Sequence, residues 1–422
     1  MKVFKFGGAS VNSTERIKNM ADILRSYNGE KILVVISAMG KTTNALEKVA
    51  EAFYNNQKEE ALRFFDIVKE NHLATAKEVL TKNYDATALQ LKDFFTEIEW
   101  LLHDKPKREF DYYYDQVVCI GELLSTAIVS AYLHGEGFSV KWMDVRDIFR
   151  TDDNFRDANI DWGYTLDKVK KEIVPLFNKN DLILTQGFIG STDENESTTL
   201  GREGSDYTAA VFANMLDAES QSIWKDVEGV MNADPKEFPD AQFISELNYD
   251  EVIEMAYYGA QVIHPKTIKP LQNKNIPLYV KCFLNKDLPG TIIHAKSIKQ
   301  LPPIIVIKQN QVLMHLHSKD FSFVGETATG ELYHFFNEIK IKPNLMQSGA
   351  VSLLVCLDDK TDKIEKLALK AADMFEVQVE RALNLLTIRH YDQSTLDKLT
   401  KNKTILLKQQ SPETVQVLMK QS

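Results

Sequence analysis

The chain has 422 residues, of which 44% are apolar and 26% are charged, and its formal net charge is −10 at pH 7. The length predicts about two or three domains, and the composition is typical of a soluble globular protein. The negative net charge argues against a nucleic-acid binder, because affinity for phosphate backbones depends on Lys and Arg.

The three cysteines, Cys119, Cys282 and Cys356, lie far apart and in no metal-binding spacing. This pattern favours buried thiols in a reducing compartment over disulfides or zinc. The longest apolar run, Ile32–Ile36, is far too short to span a bilayer, and the first residues enter a strand pattern without a secretory signal. We therefore expect a cytoplasmic protein with no membrane or nucleic-acid partner.

The first 44 residues repeat one pattern, in which a strand is followed by a glycine-containing loop and a helix. Strands are predicted at 2–6 and 31–36, and Asn12 with Glu15 resembles a capping box at the first helix. Gly40-Lys41 invites a Walker A interpretation, but that motif needs a glycine where Val35 stands, so we reject it.

Further strands are predicted at 138–143, 181–189, 220–225 and 276–283, separated by helical segments that include 45–103 and 115–134. Alternating strands and helices predict an α/β fold with a largely parallel sheet covered by helices on both faces. Glu122, within the second helical segment, lies either at the polar edge of its helix or in a pocket. The polar edge is the more common place for a glutamate.

The loop at 200–206 has the composition of an anion-binding site. Gly201 and Gly204 permit close backbone approach, Ser205 or Asp206 can cap the helix that follows, and Arg202 adds a cation. An ordinary capped loop explains the same residues equally well. His264, before a proline, is expected to be a structural hydrogen-bonding residue, since no triad pattern surrounds it.

A change in composition near 288–303 predicts a domain boundary. Beyond it, strands at 304–316, 342–346, 350–357 and 375–386, with helices at 330–338 and 362–375, give the order of a ferredoxin-like α+β module. Segments 385–391, 403–408 and 414–419 start a second, shorter module. Such modules have exposed sheet edges, so pairing between modules or subunits is expected.

Four ordered motifs stand out along the chain. Segment 5–11 is Lys-Phe-Gly-Gly-Ala-Ser-Val, segment 202–210 is Arg-Glu-Gly-Ser-Asp-Tyr-Thr-Ala-Ala, and segments 226–235 and 258–265 are the other two. These motifs resemble those of the amino-acid kinase family, and in particular of monofunctional aspartate kinases with C-terminal ACT domains. The first has Ala9 in place of the threonine of that family, and the second has Glu203 in place of a glycine.

The resemblance implies a catalytic amino-acid kinase domain at 1–295 and paired ACT regulatory modules at 300–422, the last one shortened. It also implies transfer of the γ-phosphoryl group of ATP, with Mg²⁺, to the β-carboxylate of L-aspartate, giving 4-phospho-L-aspartate. This is the first step toward lysine, threonine and methionine. A carboxylate nucleophile is ionised at pH 7, so no general base is required, and none of the residues is expected to bind a metal directly.

The resemblance also assigns roles to individual residues. Lys5 and Asp206 are the catalytic pair. The substrate-binding positions are Thr43, Glu122, Arg202, Glu203, Gly204 and Ser205, with Arg202 facing the α-carboxylate and Glu122 the ammonium. The ATP-binding positions are Lys5, Gly7, Gly8, Ser37, Lys225, Asp226, Met231, Lys236, Gln261 and Val262.

Some of these positions depart from the family pattern. The charges expected around the nucleotide differ from the family pattern at three positions, Lys225, Lys236 and Gln261. A surface role for Lys225 is nearly as plausible as an ATP contact. Glu203 adds a negative charge beside the substrate loop and either points to solvent or pairs with a lysine.

The ACT modules imply a feedback effector, lysine or threonine, and at least a homodimer. A lysine effector needs a carboxylate, which Asp320 or Glu326 can supply, whereas Asn344 occupies the strand position that begins the second half of the module. Two alternatives stay open: a kinase of the same superfamily acting on another carboxylate or on a nucleotide such as UMP, and a catalytically weak amino-acid sensor.

Overall fold

The computed structural model describes residues 1–260, 262–319 and 323–420. By internal contacts the chain divides into two units. The first comprises Met1–Val230, Phe243–Ile253 and Val262–Ile298, and the second comprises Met231–Gln242, Glu254–Gln261 and Lys299–Ser422. Each unit is therefore assembled from segments that are separated in sequence.

The first unit is built on an eight-stranded sheet. The strands up to residue 294 are β1 (Lys2–Phe6), β2 (Ile32–Ile36), β3 (Val140–Trp142), β4 (Leu182–Gln186), β5 (Ile189–Ser191), β6 (Ser197–Thr199), β7 (Ser220–Lys225), β8 (Val230–Met231), β9 (Phe243–Ile244), β10 (Glu246–Asn248), β11 (Leu278–Cys282) and β12 (Thr291–His294). The strand order in the sheet is β10-β12-β11-β7-β1-β2-β4-β3. All neighbours are parallel except β11 and β12.

Helices surround this sheet. Those up to residue 272 are α1 (Thr14–Arg25), α2 (Thr42–Tyr54), α3 (Lys58–Val79), α4 (Tyr84–His103), α5 (Phe110–Val118), α6 (Ile120–Gly135), α7 (Trp162–Lys168), α8 (Gly204–Met215), α9 (Tyr249–Tyr258) and α10 (Pro265–Gln272). Every residue of β2 and β4 is buried, as expected for interior parallel strands covered on both faces.

The expected helix at 115–134 is two helices, α5 and α6, which meet at Cys119. The stretch Phe110–Gly135 that contains them is long and apolar enough, by length and composition, to cross a membrane. However, 83% of its most apolar window is buried inside the protein, which is the behaviour of a core helix.

Two expected helix caps are wrong by a few residues. The cap of α1 is Ser13, whose Oγ accepts from the N–H of Arg16 at 3.3 Å, so Asn12 is not the capping residue. Helix α8 begins at Gly204 after Glu203, without a side-chain cap. Ser205 and Asp206 therefore lie in the first turn, where their side chains are available to the site.

The second unit is an α+β structure with a six-stranded antiparallel sheet of order β14-β15-β13-β16-β18-β17. Its elements after residue 303 are β13 (Ile304–Ser318), α11 (Glu326–Ile339), β14 (Pro343–Ser348), β15 (Ser352–Asp358), α12 (Thr361–Ala371), β16 (Phe375–Arg389), α13 (Gln393–Thr400), β17 (Ile405–Gln410) and β18 (Thr414–Lys420).

The two modules of this unit share their long strands. The first half of β13 pairs with residues 385–389 of β16, and its second half pairs with β15 and the start of β16. Register shifts between Lys308 and Leu313 separate the halves. The second module expected to start at 385–391 therefore has no first strand of its own, because residues 385–389 are the end of β16. The expected fold class, a largely parallel α/β sheet followed by antiparallel α+β modules, is confirmed.

Candidate active site

The candidate site lies at the carboxyl edge of the central strands. Phe6 of β1 is in register with Ile36 of β2 and Trp224 of β7, and Ile36 is in register with Gln186 of β4. These four strands are parallel, so the loops that follow them emerge at one edge. In open α/β sheets, ligands bind at that edge.

Two of these loops are held against each other through Gly8. A Cβ at Gly8 would lie 2.5 Å from the carbonyl oxygen of Ala38, and the N–H of Gly40 donates to the carbonyl of Gly8 at 3.1 Å. Only glycine permits this approach. The β1 and β2 loops therefore form one continuous backbone surface beside Lys5.

Lys5 and Asp206 form an ion pair at this edge, with Nζ and Oδ1 2.7 Å apart. The side chains are only 12% and 4% exposed, respectively. Lys5 comes from β1 and Asp206 from the first turn of α8, where the helix dipole favours a carboxylate. The two catalytic residues implied by the resemblance are thus in direct contact.

A cavity of about 390 Å³ opens next to this pair. It is lined by both members of the pair and by further residues from the loops after β2 and β4, the loop before α8, the loop at Arg156, strand β6 and helices α2, α5 and α6. The sequence-predicted residues on it are Lys5, Ser37, Thr43, Glu122, Gly201, Arg202, Glu203, Gly204, Ser205 and Asp206, joined by Tyr114, Arg156, Phe188 and Thr199.

Glu122 reaches the cavity from the first turn of α6, and it is only 2% exposed. Its Oε1 accepts from the N–H of Ala38 at 3.3 Å, whereas Oε2 is buried without a hydrogen-bond partner in the part of the chain that the structure describes. Burial raises the pKa of this carboxyl to about 8. The interpretation of Glu122 as a polar-edge residue is wrong, because the side chain lies in a pocket.

Arg202 is exposed at the cavity and makes no hydrogen bond or ion pair with any described residue. The cavity therefore presents one unpaired guanidinium and one unpartnered carboxylate oxygen. This combination suits a small molecule that carries charges of both signs.

Among the described residues Glu203 pairs with no lysine, and its side chain does not point freely to solvent. Its Oε2 accepts from the backbone N–H of His264 at 2.8 Å. Nδ1 of His264 in turn accepts from the N–H of Lys266 at 3.1 Å and caps α10, which confirms the structural role expected for this histidine. Glu203 thus ties the substrate loop to the start of α10.

The expected nucleotide residues are not all brought together. Nζ of Lys225 donates to the carbonyl of Val262 at 2.8 Å, so these two are in contact, and Asp226 beside them is exposed. None of the three lines the cavity. Gln261 lies outside the described residues, and Met231 and Lys236 belong to segments of the second unit.

Several cavity residues were not predicted from the sequence. Thr199 directly precedes the predicted loop at 200–206, so extending that loop backwards by one residue would include it. Gly187 follows β4, and a Cβ there would lie 2.5 Å from Cβ of Ser205, which makes glycine necessary for the approach of α8. Tyr114 and Arg156 carry no sequence signal of a ligand contact.

Residues 1–282 match the family model of the amino acid kinase family. The match covers well over half of the 422 residues, so the chain belongs to the amino acid kinase family.

Within this family the chain belongs with the aspartokinases. Lysine-sensitive aspartokinase 3 of Escherichia coli (strain K12) is 30% identical over 396 residues, which cover 92% of this chain and 86% of that protein. Aspartokinase 2, chloroplastic, of Arabidopsis thaliana is 34% identical over 376 residues, covering 84% of this chain. This chain spans about two thirds of that relative's length, 66%.

The fold comparison agrees. Crystal structures of E. coli aspartokinase III, in complex with aspartate and ADP and in complex with lysine and aspartate, each match with a TM-score of 0.80 at 27% identity. The first covers 100% of this chain and 96% of that one, and the second covers 99% and 95%.

Proposed function

We propose that the chain is an aspartate kinase that transfers the γ-phosphoryl group of MgATP to the β-carboxylate of L-aspartate. One observation carries this proposal: the cavity presents the unpartnered Oε2 of Glu122 and the unpaired guanidinium of Arg202 beside the Lys5–Asp206 pair. An amino acid supplies an ammonium for Glu122 and an α-carboxylate for Arg202. A nucleoside monophosphate has no ammonium, which argues against a nucleotide acceptor.

The residues suit a reaction that needs electrostatic stabilisation more than proton transfer. The carboxylate of aspartate has a reference pKa of about 4 and is ionised at pH 7, so it attacks without a base. The barrier lies in bringing an anion to a polyanionic phosphate. Lys5 and the backbone N–H groups at the start of α8 supply positive charge where that negative charge develops.

The same edge fits the phosphates of ATP. The backbone at Gly8, where the β1 and β2 loops meet, lets the phosphates approach closely. Lys5 neutralises the phosphates, and Ser37 and Asp206 orient the phosphate end of ATP. Mg²⁺ prefers phosphate oxygens and water and needs few protein ligands, and its charge offsets that of the triphosphate. Lys225, Asp226, Met231, Lys236, Gln261 and Val262 are proposed for the adenine and ribose.

For regulation, we propose that residues 1–295 are catalytic and 300–422 are ACT modules that bind lysine or threonine and pair in a homodimer or larger homo-oligomer. The antiparallel α+β sheet of the second unit supports this division. Asn344 is already engaged: Lys308 donates to its Oδ1 at 2.7 Å, and its Nδ2 donates to Gln311 at 2.7 Å and to Asp358 at 2.8 Å. Asp320 and Glu326 both stay candidates for the carboxylate that a lysine effector needs; Glu326 begins α11, and Asp320 lies outside the described residues. The cytoplasmic location stays a prediction.

The test is a coupled assay of ADP release in which the acyl phosphate is trapped with hydroxylamine. We expect hydroxamate that depends on L-aspartate and MgATP, and inhibition by lysine or threonine. If ADP forms without aspartate-dependent hydroxamate, the acceptor is another molecule. If neither ADP nor hydroxamate forms although aspartate binds, the chain acts as an amino-acid sensor. Catalysis that persists unchanged with both amino acids would contradict the regulatory proposal alone.

A further inference from the structure

Strained backbone converges on the substrate cavity. Most described non-glycine residues with positive φ are Asn, Asp or His, which tolerate that conformation, and the exceptions are Arg156, Phe188, Glu203, Lys340 and Ala382. The first three line the cavity, with φ of 69°, 73° and 54°. Residues persist in such conformations when their surroundings hold them there, and these residues cluster at functional sites.

Arg156 is held in place by a buried carboxylate. The backbone N–H of Arg156 donates to Oδ2 of Asp115 at 3.0 Å. The same oxygen accepts from the N–H of Thr199 at 2.8 Å, and Oδ1 accepts from the Thr199 hydroxyl at 2.7 Å. Asp115 has no exposed surface. It therefore joins two cavity walls, the loop at Arg156 and strand β6, at one point.

The guanidinium of Arg156 is oriented but weakly paired. It lies 4.3 Å from the ring centroid of Tyr114, which also lines the cavity. Its ion-pair partners are Asp111 at 3.2 Å and Glu47 at 3.9 Å, and the side chains of these acids are 56% and 38% exposed. Ion pairs this open to water contribute little, so a carboxylate ligand can replace them at small cost.

From this arrangement we infer that Arg156 is a second arginine for the substrate and that, beside Arg202, it binds the α-carboxylate of aspartate. The inference rests on the proposed function. The β-carboxylate must attack phosphorus next to Lys5, and a guanidinium clamped on it would reduce its nucleophilicity. A guanidinium on the carboxylate that does not react adds affinity and selectivity without that loss.

The experiment uses isothermal titration calorimetry of the full chain with L-aspartate and with its α-carboxamide, which lacks the α-carboxylate charge. The variants are Arg156→Gly, which removes the side chain and adopts positive φ without strain, and Arg156→Lys. The matched control is Arg150→Ala, because Arg150 also stacks on a tyrosine, Tyr164 at 4.4 Å, but does not line the cavity.

We expect Arg156→Gly to weaken aspartate binding about tenfold, as for a hydrogen-bonded charged group, and to change binding of the α-carboxamide little. Arg156→Lys should fall between, and Arg150→Ala should match wild type. Equal weakening of both ligands, or none, would overturn the inference. The unfolding temperature of each variant reports whether a loss is structural instead.

A failure of the proposed function can be distinguished from a failure of the assignment of Arg156. If wild type binds aspartate with the expected dependence on Arg156 but forms no hydroxamate, the kinase assignment fails and the arginine assignment stands. If Arg156→Gly forms hydroxamate with an unchanged aspartate KM, the arginine assignment fails and the kinase assignment stands.

Discussion

Nζ of Lys5 lies 2.7 Å from Oδ1 of Asp206, which joins the first strand of the chain to the first turn of α8. The two residues come from separate sequence motifs, and their pairing holds both loops at one edge of the sheet. Each partner has little access to water, so each depends on the other for charge compensation.

Replacing Lys5 should therefore affect both turnover and stability. We expect Lys5→Ala to lower kcat by about 10²-fold or more, because a cation at the developing phosphate charge is lost. It should also lower the free energy of unfolding by about 3 kcal/mol, because Asp206 is left buried and unpaired. Hydroxamate formation and denaturant unfolding measure the two effects.

The double variant Lys5→Ala/Asp206→Asn separates the effect on turnover from the effect on stability. Neutralising Asp206 should recover most of the lost stability while turnover stays low. A double variant that regains turnover would remove Lys5 from the mechanism. A single variant as stable as wild type would show that the pair is not buried in solution.

Glu122 should control aspartate affinity without affecting ATP. We expect Glu122→Gln to raise the aspartate KM about 10- to 100-fold, since a charged hydrogen bond to the ammonium is lost, with the ATP KM unchanged. Steady-state kinetics with each substrate varied in turn measures this. Equal effects on both KM values would contradict the assignment.

The same residue predicts a pH dependence. Burial raises the pKa of Glu122 in the free protein to about 8, so the carboxyl becomes protonated as the pH falls from 9 to 6 and aspartate affinity should fall with it. The pKa of Glu122 is higher in the folded protein than the unfolded value of 4.5, so the folded protein holds this proton more tightly. The stability that the proton contributes is therefore present at low pH and is lost as the pH rises through 8. Glu122→Gln should flatten both profiles, measured by calorimetric titration and thermal unfolding. Profiles that keep their wild-type slopes in this variant would assign the titration to another group.

The sequence was most informative where local pattern and backbone chemistry coincide. The apolar run of β2 and the glycines beside Lys5 identified strands and an edge loop, because burial on both faces and close backbone approach restrict the residue types. The sharing of β13 between two modules could not be predicted, since the change of partner depends on a bulge and not on composition.

The pocket location of Glu122 illustrates a different limit. A glutamate among apolar residues more often lies at the polar edge of a helix, and local sequence cannot report a cavity formed by loops that are distant in the chain. Arg156 was missed for a similar reason. The carboxylate that accepts from its backbone N–H belongs to Asp115, which lies 41 residues earlier in the sequence.

Asp115 should act on substrate binding through the walls that it joins. We expect Asp115→Asn to weaken aspartate binding and to lower the free energy of unfolding by about 1–3 kcal/mol, because the amide has one acceptor atom and no charge, whereas both carboxylate oxygens accept from Arg156 and Thr199. Calorimetry and denaturant unfolding provide the measurements. Asp93→Asn is the control, since Asp93 is an exposed acid in α4 and does not line the cavity.

The pKa of Asp115 adds a check on this prediction. Burial raises it from 3.8 to about 7, so the stability contributed by its proton is present at low pH and is lost as the pH rises through 7. Asp115→Asn should make the slope of stability against pH between 4 and 7 shallower by this residue's share and leave the share of Glu122, whereas Asp93→Asn should keep the wild-type slope. An Asp115→Asn protein with wild-type stability and wild-type pH dependence would mean that the buried carboxylate does not hold these walls.

Gly187 should tolerate no side chain unless the first turn of α8 shifts. In Gly187→Ala the new Cβ would lie 2.5 Å from Cβ of Ser205 and 2.7 Å from its Cα, so the first turn of α8 must move. Overpacking of this kind costs about 1–3 kcal/mol, and the displaced Ser205 and Asp206 should lower kcat and raise the aspartate KM together.

Gly135→Ala, at the end of α6, is the control because no atom lies within 4 Å of the added Cβ. The control should unfold at the same temperature as wild type or higher, through reduced freedom of the unfolded chain. Kinetics and thermal unfolding of the two variants test this, and a Gly187→Ala enzyme with wild-type KM and kcat would show that α8 does not press on β4 as the structure describes.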